Sequence, residues 1–295
     1  MSEFVRPQWV DEGEYPFESH VLKIDGNDIH YVDSGQGPVL VFVHGNPVWS
    51  FEYRMVVKAL ASSFRCIAVD LAGFGLSTAA PGFSHLPSAH AAVLAKFIES
   101  LDVRDYSIVV QDWGGPIGLS AALAAPERLG GVVISNTWAW PVNGNPGFEK
   151  FSSLMGGPFG RFGSKYFNAF VNVLLPVSHK LRKLSRREKM HYRKALPAGR
   201  REPTWILPKQ IIASSDFLAA LEVRLPELSS LPSLIVWGDK DDAFQGPELE
   251  HWQQLLPGAT TVVLKGVGHF APSEAPDEFA AAVREWGATR LSGAQ

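Results

Sequence analysis

Short apolar runs rich in β-branched residues alternate with longer segments of helical periodicity along most of the chain. Residues 20–24 and 28–32 flank the turn sequence Asp25-Gly26-Asn27, which predicts a β-hairpin near the start. Further buried strands are predicted at residues 39–43, 66–69, 108–110, 132–134, 234–237 and 261–264. Helices are predicted at residues 51–61, 89–101, 116–124, 247–255 and 275–286. Apolar strands that alternate with helices indicate an α/β fold with a mostly parallel central sheet and helices on both faces.

The alternation stops between residues 138 and 225. Gly156-Gly157-Pro158, several aromatic residues and a basic helical stretch at residues 185–196 replace the strand signal there. Because a structureless loop of this length is uncommon inside a compact domain, we interpret the segment as an inserted helical cap. Residues 1–137 and 226–295 are then the core domain, and residues 138–225 are the cap subdomain. The cap is expected over the carboxyl ends of the strands, where open α/β sheets place their sites.

Composition narrows the class of protein. The 295 residues are 46% hydrophobic and 19% charged, so the chain can bury a sizeable core without disulfides. The formal net charge is −3 and basic residues gather only at residues 180–201, so no nucleic-acid partner is expected. No apolar leader is present, and no run approaches the roughly 18 apolar residues of a membrane span. With Cys66 as the only cysteine, we expect a cytoplasmic protein without a membrane partner, and its oligomeric state stays open.

The segment at residues 108–118 runs from an apolar strand through a small-residue turn into a helix and places Asp112 at the turn. α/β-Hydrolases present their nucleophile on such an element, because glycines let the sharp turn form and expose the middle side chain. No Gly-x-Ser-x-Gly occurs in the chain. A carboxylate needs no base to deprotonate it, so Asp112 is a candidate nucleophile for displacement at an alkyl carbon. The alternative role for Asp112 is to cap the following helix.

Two candidate partners, Asp241 and His269, each follow a predicted strand and come after Asp112 in the chain. The order nucleophile, acid, histidine is the order that α/β-hydrolases use, and a histidine oriented by a carboxylate is the base that nucleophilic catalysis requires. Asp239 and Asp242 are alternative acids. We favour Asp241 because Gly-x-x-Asp after this strand recurs in the fold.

The loop at residues 43–50 connects a predicted strand to a predicted helix and contains His44-Gly45-Asn46-Pro47. The backbone N–H groups of Asn46 and Trp113 are expected to hold an oxyanion as it forms, an effect worth a few kcal/mol. The alternative is that Asn46 caps the helix and that His44-Gly45 shapes the turn.

Two motifs together carry a family resemblance. His-Gly-Asn-Pro-x-x-Ser at residues 44–50 and Asp-Trp-Gly-Gly at residues 112–115 resemble the haloalkane dehalogenases, and the similarity runs from about residue 20 to residue 286. Some members of that family take their acid from a Glu after the strand that precedes the cap. Asn136 stands in that region and no Glu is near, which favours Asp241 and resembles one branch of the family.

The resemblance implies a function and a set of site residues. It implies a small apolar halogenated substrate, and a halide ion held by the side chains of Asn46 and Trp113. It implies an alkyl ester on Asp112, which is hydrolysed by water that His269 deprotonates while Asp241 stabilises the imidazolium. The products are an alcohol, a halide ion and a proton, and neither a metal nor another cofactor is implied.

Four other interpretations use similar motifs. An epoxide hydrolase typically has an aromatic residue at the position of Asn46 and protonates its substrate with cap tyrosines, for which Tyr166 and Tyr192 are candidates. A fluoroacetate-type dehalogenase favours Arg at the position of Trp113. A cofactor-independent, luciferase-like monooxygenase keeps the same residues and differs in the size of its pocket. A binding protein on the same scaffold would not need the complete set.

Aromatic residues of the cap are candidates for the lining of an apolar pocket suited to haloalkanes. Their alternative role is to pack the cap on the core. The candidates are Trp138, Trp140, Phe148, Phe159, Phe162, Phe167 and Trp205.

Overall fold

The computed structural model describes residues 4–292, with only the backbone described for residues 289–292. Its strands are β1 (Ser19–Ile24), β2 (Asn27–Ser34), β3 (Val39–Val43), β4 (Arg65–Val69), β5 (Tyr106–Gln111), β6 (Leu129–Ser135), β7 (Ser233–Gly238) and β8 (Thr260–Leu264). They form one sheet in the order β1-β2-β4-β3-β5-β6-β7-β8. β2 pairs antiparallel with β1 and β4, and all other neighbours in this sheet are parallel. Each predicted strand is present, which confirms the α/β fold with a mostly parallel sheet.

The helices follow the strands in the expected alternation. They are α1 (Arg54–Leu60), α2 (Pro87–Ser100), α3 (Gly114–Ala122), α4 (Pro146–Gly156), α5 (Pro158–Phe167), α6 (Leu175–Ser178), α7 (Arg186–Ala195), α8 (Pro203–Ala213), α9 (Ser215–Glu222), α10 (Gly246–Leu255), α11 (Ala271–Glu274) and α12 (Pro276–Ser292). No helix within residues 4–292 is both long and apolar enough to cross a bilayer.

The middle of the sheet is covered on both faces. Every residue of β5 and of β7 is buried. Because consecutive side chains of a strand point to opposite faces, burial of all of them requires a packed layer on each side. This is why these strands appear in the sequence as continuous apolar runs such as Ile108-Val109-Val110.

One predicted helix is divided. The segment predicted as a helix at residues 51–61 begins as a 3-10 turn, Ser50–Tyr53, and continues as α1. All four residues of the turn are buried, and the backbone N–H of Ser50 donates a 2.8 Å hydrogen bond to the side chain of Asp70. The tertiary contact holds the chain in the tighter turn, which helical periodicity alone does not predict.

The segment between β6 and β7 is helical. α4 to α9 all lie between residues 146 and 222, and residues 138–225, which the structure describes in full, contain no strand. The basic stretch predicted as a helix is α7, which starts with a capping box between Ser185 and Glu188. The division into a core of residues 1–137 and 226–295 and a cap of residues 138–225 stays a prediction about domains.

A buried ion pair joins α7 to the start of α1. Nη2 of Arg54 lies 2.6 Å from Oε1 of Glu188, and both side chains are almost completely buried. Arg182 donates two further hydrogen bonds to the same carboxylate, at 2.7 and 3.0 Å. Burial alone would raise the pKa of Glu188, but the hydrogen bonds of Arg182 and Ser185 and the charge of Arg54 lower it to about 2.

We expect Glu188→Gln to lower the free energy of unfolding at pH 7 by roughly 3 kcal/mol, the low end for the loss of one partner of a buried pair, because Arg54 keeps only the carboxylate of Glu14, 3.5 Å from its Nε. The loss should shrink as the pH falls from 4.5 towards 2, where the wild-type carboxyl takes up its proton. Urea unfolding at several pH values measures it. Lys194→Gln, at an exposed position of the same helix, is the control, and an equal effect of both substitutions would contradict the role of the pair.

Candidate active site

The turn after β5 presents Asp112. The backbone of this residue has a φ of +50°, a left-handed conformation that is uncommon for residues other than glycine. Two glycines let the neighbouring segments approach. A Cβ at Gly114 would lie 2.1 Å from the carbonyl oxygen of Val43, and a Cβ at Gly115 would lie 1.9 Å from Oγ1 of Thr137. Only glycine fits at these positions, so the two glycines of Asp-Trp-Gly-Gly are a steric requirement of the turn.

The carboxylate of Asp112 lies between the loop after β3 and the loop after β8. Its Oδ1 accepts a 2.7 Å hydrogen bond from the backbone N–H of Asn46, and its Oδ2 lies 3.5 Å from Nε2 of His269. α3 has no side-chain cap, and its N-cap position is Trp113. The alternative that Asp112 caps this helix is therefore wrong.

A second carboxylate orients His269. Nδ1 of His269 lies 2.9 Å from Oδ2 of Asp241. The same oxygen accepts a hydrogen bond from the side chain of Asn136 at 2.9 Å. The other oxygen of Asp241 accepts a 2.7 Å hydrogen bond from the backbone N–H of Ala243. Asn136, which stands where some relatives would have an acid, thus donates to the acid that is present. The buried carboxylate is stabilised by donors on both oxygens.

The two rival acids have other partners. Oδ1 of Asp239 accepts a 2.7 Å hydrogen bond from the backbone N–H of Gly266, and its other oxygen lies 3.5 Å from Lys265. The carboxylate of Asp242 pairs with Lys180 at 2.6 Å. Neither acid contacts His269 in the part of the chain that the structure describes. The geometry brings together the acid that the sequence favours and the histidine.

Electrostatics set the charge of the histidine. Burial alone would lower the pKa of His269, but the charges and hydrogen bonds of Asp241 and Asp112 raise it well above its usual value. The two carboxylates therefore favour the protonated form of the imidazole. Any event that neutralises Asp112 removes one of the two anions that hold this proton.

Asn46 and Trp113 lie beside the same carboxylate. Both side chains are buried and both line one cavity with Asp112. Oδ1 of Asn46 has no hydrogen-bond partner among the described residues. The 3-10 turn that follows has Trp49 at its N-cap and no side-chain cap bond, so the alternative that Asn46 caps this helix is wrong. The indole of Trp113 packs edge-on against Trp138, with ring centroids 4.7 Å apart.

The cavity has a volume of about 560 Å³, within the range of about 300–1,000 Å³ that is common for small-molecule sites. Its walls are mostly apolar, and Asp112 and His269 lie in them with the two candidate halide donors. Residues of the helical segment between β6 and β7 line the other side. The apolar lining from the cap includes Phe148, Phe151, Phe170, Leu174, Leu175 and Ile211.

Comparisons with known proteins agree with this geometry. The family described as alpha/beta hydrolase fold matches residues 38–276. Haloalkane dehalogenase 2 of Mycobacterium tuberculosis is 39% identical over 274 residues, 92% of this chain and 95% of that protein. The chain belongs to the haloalkane dehalogenase family. The crystal structure of haloalkane dehalogenase DbeA from Bradyrhizobium elkani superposes with a TM-score of 0.84 at 25% identity, over 94% of this chain and 99% of that one.

A second similar protein is named for a different reaction. Cis-3-alkyl-4-alkyloxetan-2-one decarboxylase of Shewanella oneidensis is 31% identical over 277 residues, 89% of this chain and 86% of that protein. A related protein on the same scaffold is thus named for a different reaction, so the argument for the activity has to rest on the site.

The aromatic residues that the sequence suggested for the pocket of this dehalogenase divide into two groups. Trp138 and Phe148 line the cavity. Trp140 stacks on His251 with a centroid distance of 4.0 Å and lies outside it. The remaining candidates, Phe159, Phe162, Phe167 and Trp205, are also absent from its lining. The sequence could not separate these groups, because helical spacing does not tell which face of a helix points inwards.

The tyrosines that an epoxide hydrolase would need are not in the site. Tyr166 is exposed on the outside of the cap, and Tyr192 is buried but does not line the cavity. Among the described residues, no tyrosine forms part of the cavity wall. The epoxide hydrolase alternative therefore has no cap donor for the substrate oxygen.

Sequence reasoning missed Glu52, in the 3-10 turn six residues after Asn46. This side chain is completely buried, and neither carboxyl oxygen has a hydrogen-bond partner among the described residues. Burial raises the pKa of Glu52 to about 8; the charge of His269 lowers it and that of Asp112 raises it further. Glu52 is thus a neutral acid at pH 7, and it lies close enough to His269 and Asp112 for their charges to shift its pKa.

We expect Glu52→Gln to stabilise the protein, and to do so increasingly with pH. In the unfolded chain the carboxyl loses its proton near pH 4.5, whereas the folded protein holds it up to about pH 8. Between these values the wild type loses about 1.4 kcal/mol of stability per pH unit relative to the variant. Urea unfolding at pH 5, 6.5 and 8 measures the difference. Glu99→Gln, on the surface of α2, is the control, and a difference that does not change with pH would show that Glu52 is ionised in the folded protein.

Proposed function

We propose that this protein is a haloalkane dehalogenase that cleaves carbon–halogen bonds through an alkyl ester on Asp112. The observation that carries the proposal is the position of the Asp112 carboxylate. It lies in an apolar cavity, between a backbone donor at Asn46 and the imidazole of His269. An anion in such a place is a nucleophile for a small apolar substrate, and its conformation is fixed by the turn that presents it.

In the first step, an oxygen of Asp112 attacks the carbon that bears the halogen. A carbon–oxygen bond forms and the carbon–halogen bond breaks, and the halide leaves with the electron pair. We assign the side-chain N–H groups of Asn46 and Trp113 as the donors to the departing halide. Such donors strengthen as charge develops on the halogen, so they stabilise the transition state more than the neutral substrate.

In the second step, water is activated by His269. The ester has no charge, so the imidazole has lost one of the two anions that raise its pKa and releases its proton more readily. The neutral imidazole takes a proton from water, and the hydroxide attacks the ester carbonyl carbon. Asp241 stabilises the imidazolium, and the backbone N–H of Asn46 holds the oxyanion. The intermediate collapses, the departing alkoxide takes the proton of His269 to give the alcohol, and the Asp112 carboxyl returns its proton to the imidazole. The proton that the imidazolium released to solvent before the attack of water is the third product.

The proposal also covers the role of the helical segment between β6 and β7 and the cellular compartment of the enzyme. We propose that residues 138–225 act as a cap subdomain that closes the cavity above Asp112. We also propose that the enzyme works in the cytoplasm, where its only cysteine, the buried Cys66, stays reduced.

We expect the wild type to release halide from 1,2-dibromoethane and 1-iodobutane, and Asp112→Asn to lower this rate by roughly a thousandfold or more, because the attacking oxygen is replaced by an amide. Asp239→Asn, two residues before the proposed acid but outside the cavity and paired with Gly266 and Lys265, is the matched control and should keep most of the activity. Halide release by Asp112→Asn at the wild-type rate would exclude the proposed nucleophile. Opening of an epoxide, or oxidation of a substrate by oxygen without halide release, would favour the alternative activities.

His269→Gln should separate the two steps. Without the base, displacement still occurs but hydrolysis slows by about 10²–10⁴-fold. We expect one equivalent of iodide per protein from 1-iodobutane, followed by arrest, and intact-protein mass spectrometry should show one added butyl group on the peptide that contains Asp112. Multiple turnovers with no trapped ester would contradict the assignment of His269.

A further inference from the structure

Four aromatic side chains of α5 point away from the protein. Phe159, Phe162, Tyr166 and Phe167 are 76%, 55%, 59% and 64% exposed. The ring centroids of Phe162 and Tyr166 are 5.0 Å apart, and those of Phe162 and Phe167 are 5.8 Å apart, so these three rings form one patch. Single exposed apolar residues are common, but a contiguous patch marks a surface that binds something. The proposed reaction does not use these residues.

The inner face of α5 explains why the aromatics point outwards. Gly160 and Ser164, one helical turn apart, are its buried residues. A Cβ at Gly160 would lie 2.2 Å from the carbonyl oxygen of Met155, so the helix packs on the cap through a face of small residues. This reverses the usual pattern, in which a surface helix turns its large apolar side chains inwards.

Cations flank the aromatic patch. Arg161 and Lys165 are exposed on α5, one turn apart, and Lys209 is exposed on α8. With Phe162 and Tyr166 they line an open groove of about 850 Å³. Within the described residues none of the three cations forms an ion pair, and their ring contacts are with Trp205 and Tyr166. One acid, Glu149, lies in the groove.

The charge of the wider segment has the same sign. Residues 158–201 contain twelve lysines and arginines and one acid, Glu188, in a chain with a net charge of −3. Glu188 is buried between Arg54 and Arg182 and exposes almost no negative charge. α5 itself carries Arg161 and Lys165 and no acid, so its exposed face attracts anions.

We propose that α5 with Lys209 binds the surface of an anionic lipid bilayer. The helix would lie in the plane of the interface, with its aromatic rings at the boundary between headgroups and acyl chains and its cations on the headgroups. This is contact with a surface and involves no spanning segment. No membrane partner was expected from the sequence because no apolar run is long enough to span a bilayer. That criterion does not test contact with a bilayer surface, for which the exposed Phe159, Phe162 and Phe167 are the new observation.

Charge favours lipid over a second copy of the chain as the occupant. A two-fold contact would place the same patch against itself, and Arg161 and Lys165 would then face their own equivalents. Such a contact brings like charges together while it desolvates them. An anionic bilayer instead supplies negative charge and an apolar layer side by side, which is the arrangement of the patch.

Vesicle co-sedimentation tests the proposal with the full-length protein. We expect binding to vesicles of phosphatidylcholine mixed with phosphatidylglycerol, much weaker binding to phosphatidylcholine alone, and a loss of binding at high salt. Arg161→Gln with Lys165→Gln should lower the partition constant by roughly fivefold for each charge removed. Phe159→Ser with Phe162→Ser should abolish binding. Circular dichroism should show that both variants are folded, since the substituted side chains are exposed.

The control removes the same charge elsewhere. Lys58→Gln with Arg104→Gln, at exposed positions of the core, should bind vesicles like the wild type. Equal losses in this variant and in the α5 cation variant would show that only net charge matters and would overturn the proposal. Binding that is unchanged in both α5 variants would also overturn it. A dimer in sedimentation velocity that the two serine substitutions dissolve, without vesicle binding by the wild type, would assign the patch to self-association.

Discussion

The close approach of three backbone segments at the carboxyl end of β5 is the constraint on which the site depends. Gly114 allows contact with the end of β3, and Gly115 allows contact with Thr137 after β6. Without these contacts the turn could not hold Asp112 at a positive φ, and its carboxylate would not reach the backbone N–H of Asn46. The cost of an uncommon backbone conformation is offset by the packing of the surrounding sheet. Parallel strands supply this rigidity because their carboxyl ends meet at one edge.

Charge is the second constraint, since the site buries several ionisable groups close together. Asp112, Asp241 and His269 meet in a buried site, and a further buried anion beside them would be unfavourable. Burial is the main reason that Glu52 keeps its proton, and the charge of Asp112 acts in the same direction. The same balance couples the two proposed steps, because alkylation of Asp112 removes a charge from the surroundings of His269. The histidine thus becomes a better base only after there is an ester for it to hydrolyse.

Patterns along the chain were sufficient to predict the sheet and the main side chains of the proposed site, because both depend on local sequence. Apolar runs predict strands, and the small residues after Asp112 predict a sharp turn. Asp112, Asp241 and His269 could also be identified without knowledge of distances, since each directly follows a predicted strand and they come in the order that the fold uses. What the sequence could not supply was contact across the fold. The burial of Glu52, the 3-10 turn that carries it and the donors that select Asp241 over Asp239 all arise from packing between distant segments.

The cap shows the same limit more clearly. Aromatic residues in a helix predict an apolar contact, but periodicity gives the angle between side chains and leaves the direction of the core undetermined. In α4 that contact is with the cavity, through Phe148 and Phe151. In α5 the small residues Gly160 and Ser164 face the cap, so the aromatics are left outside. The two helices follow each other directly and have similar composition, yet one contributes to the cavity and the other to the surface. Both helices pack most closely through small residues, which are Ser152 and Gly156 in α4 and Gly160 and Ser164 in α5. The difference therefore lies in what the aromatic side chains contact, which is the cavity for α4 and the outside for α5.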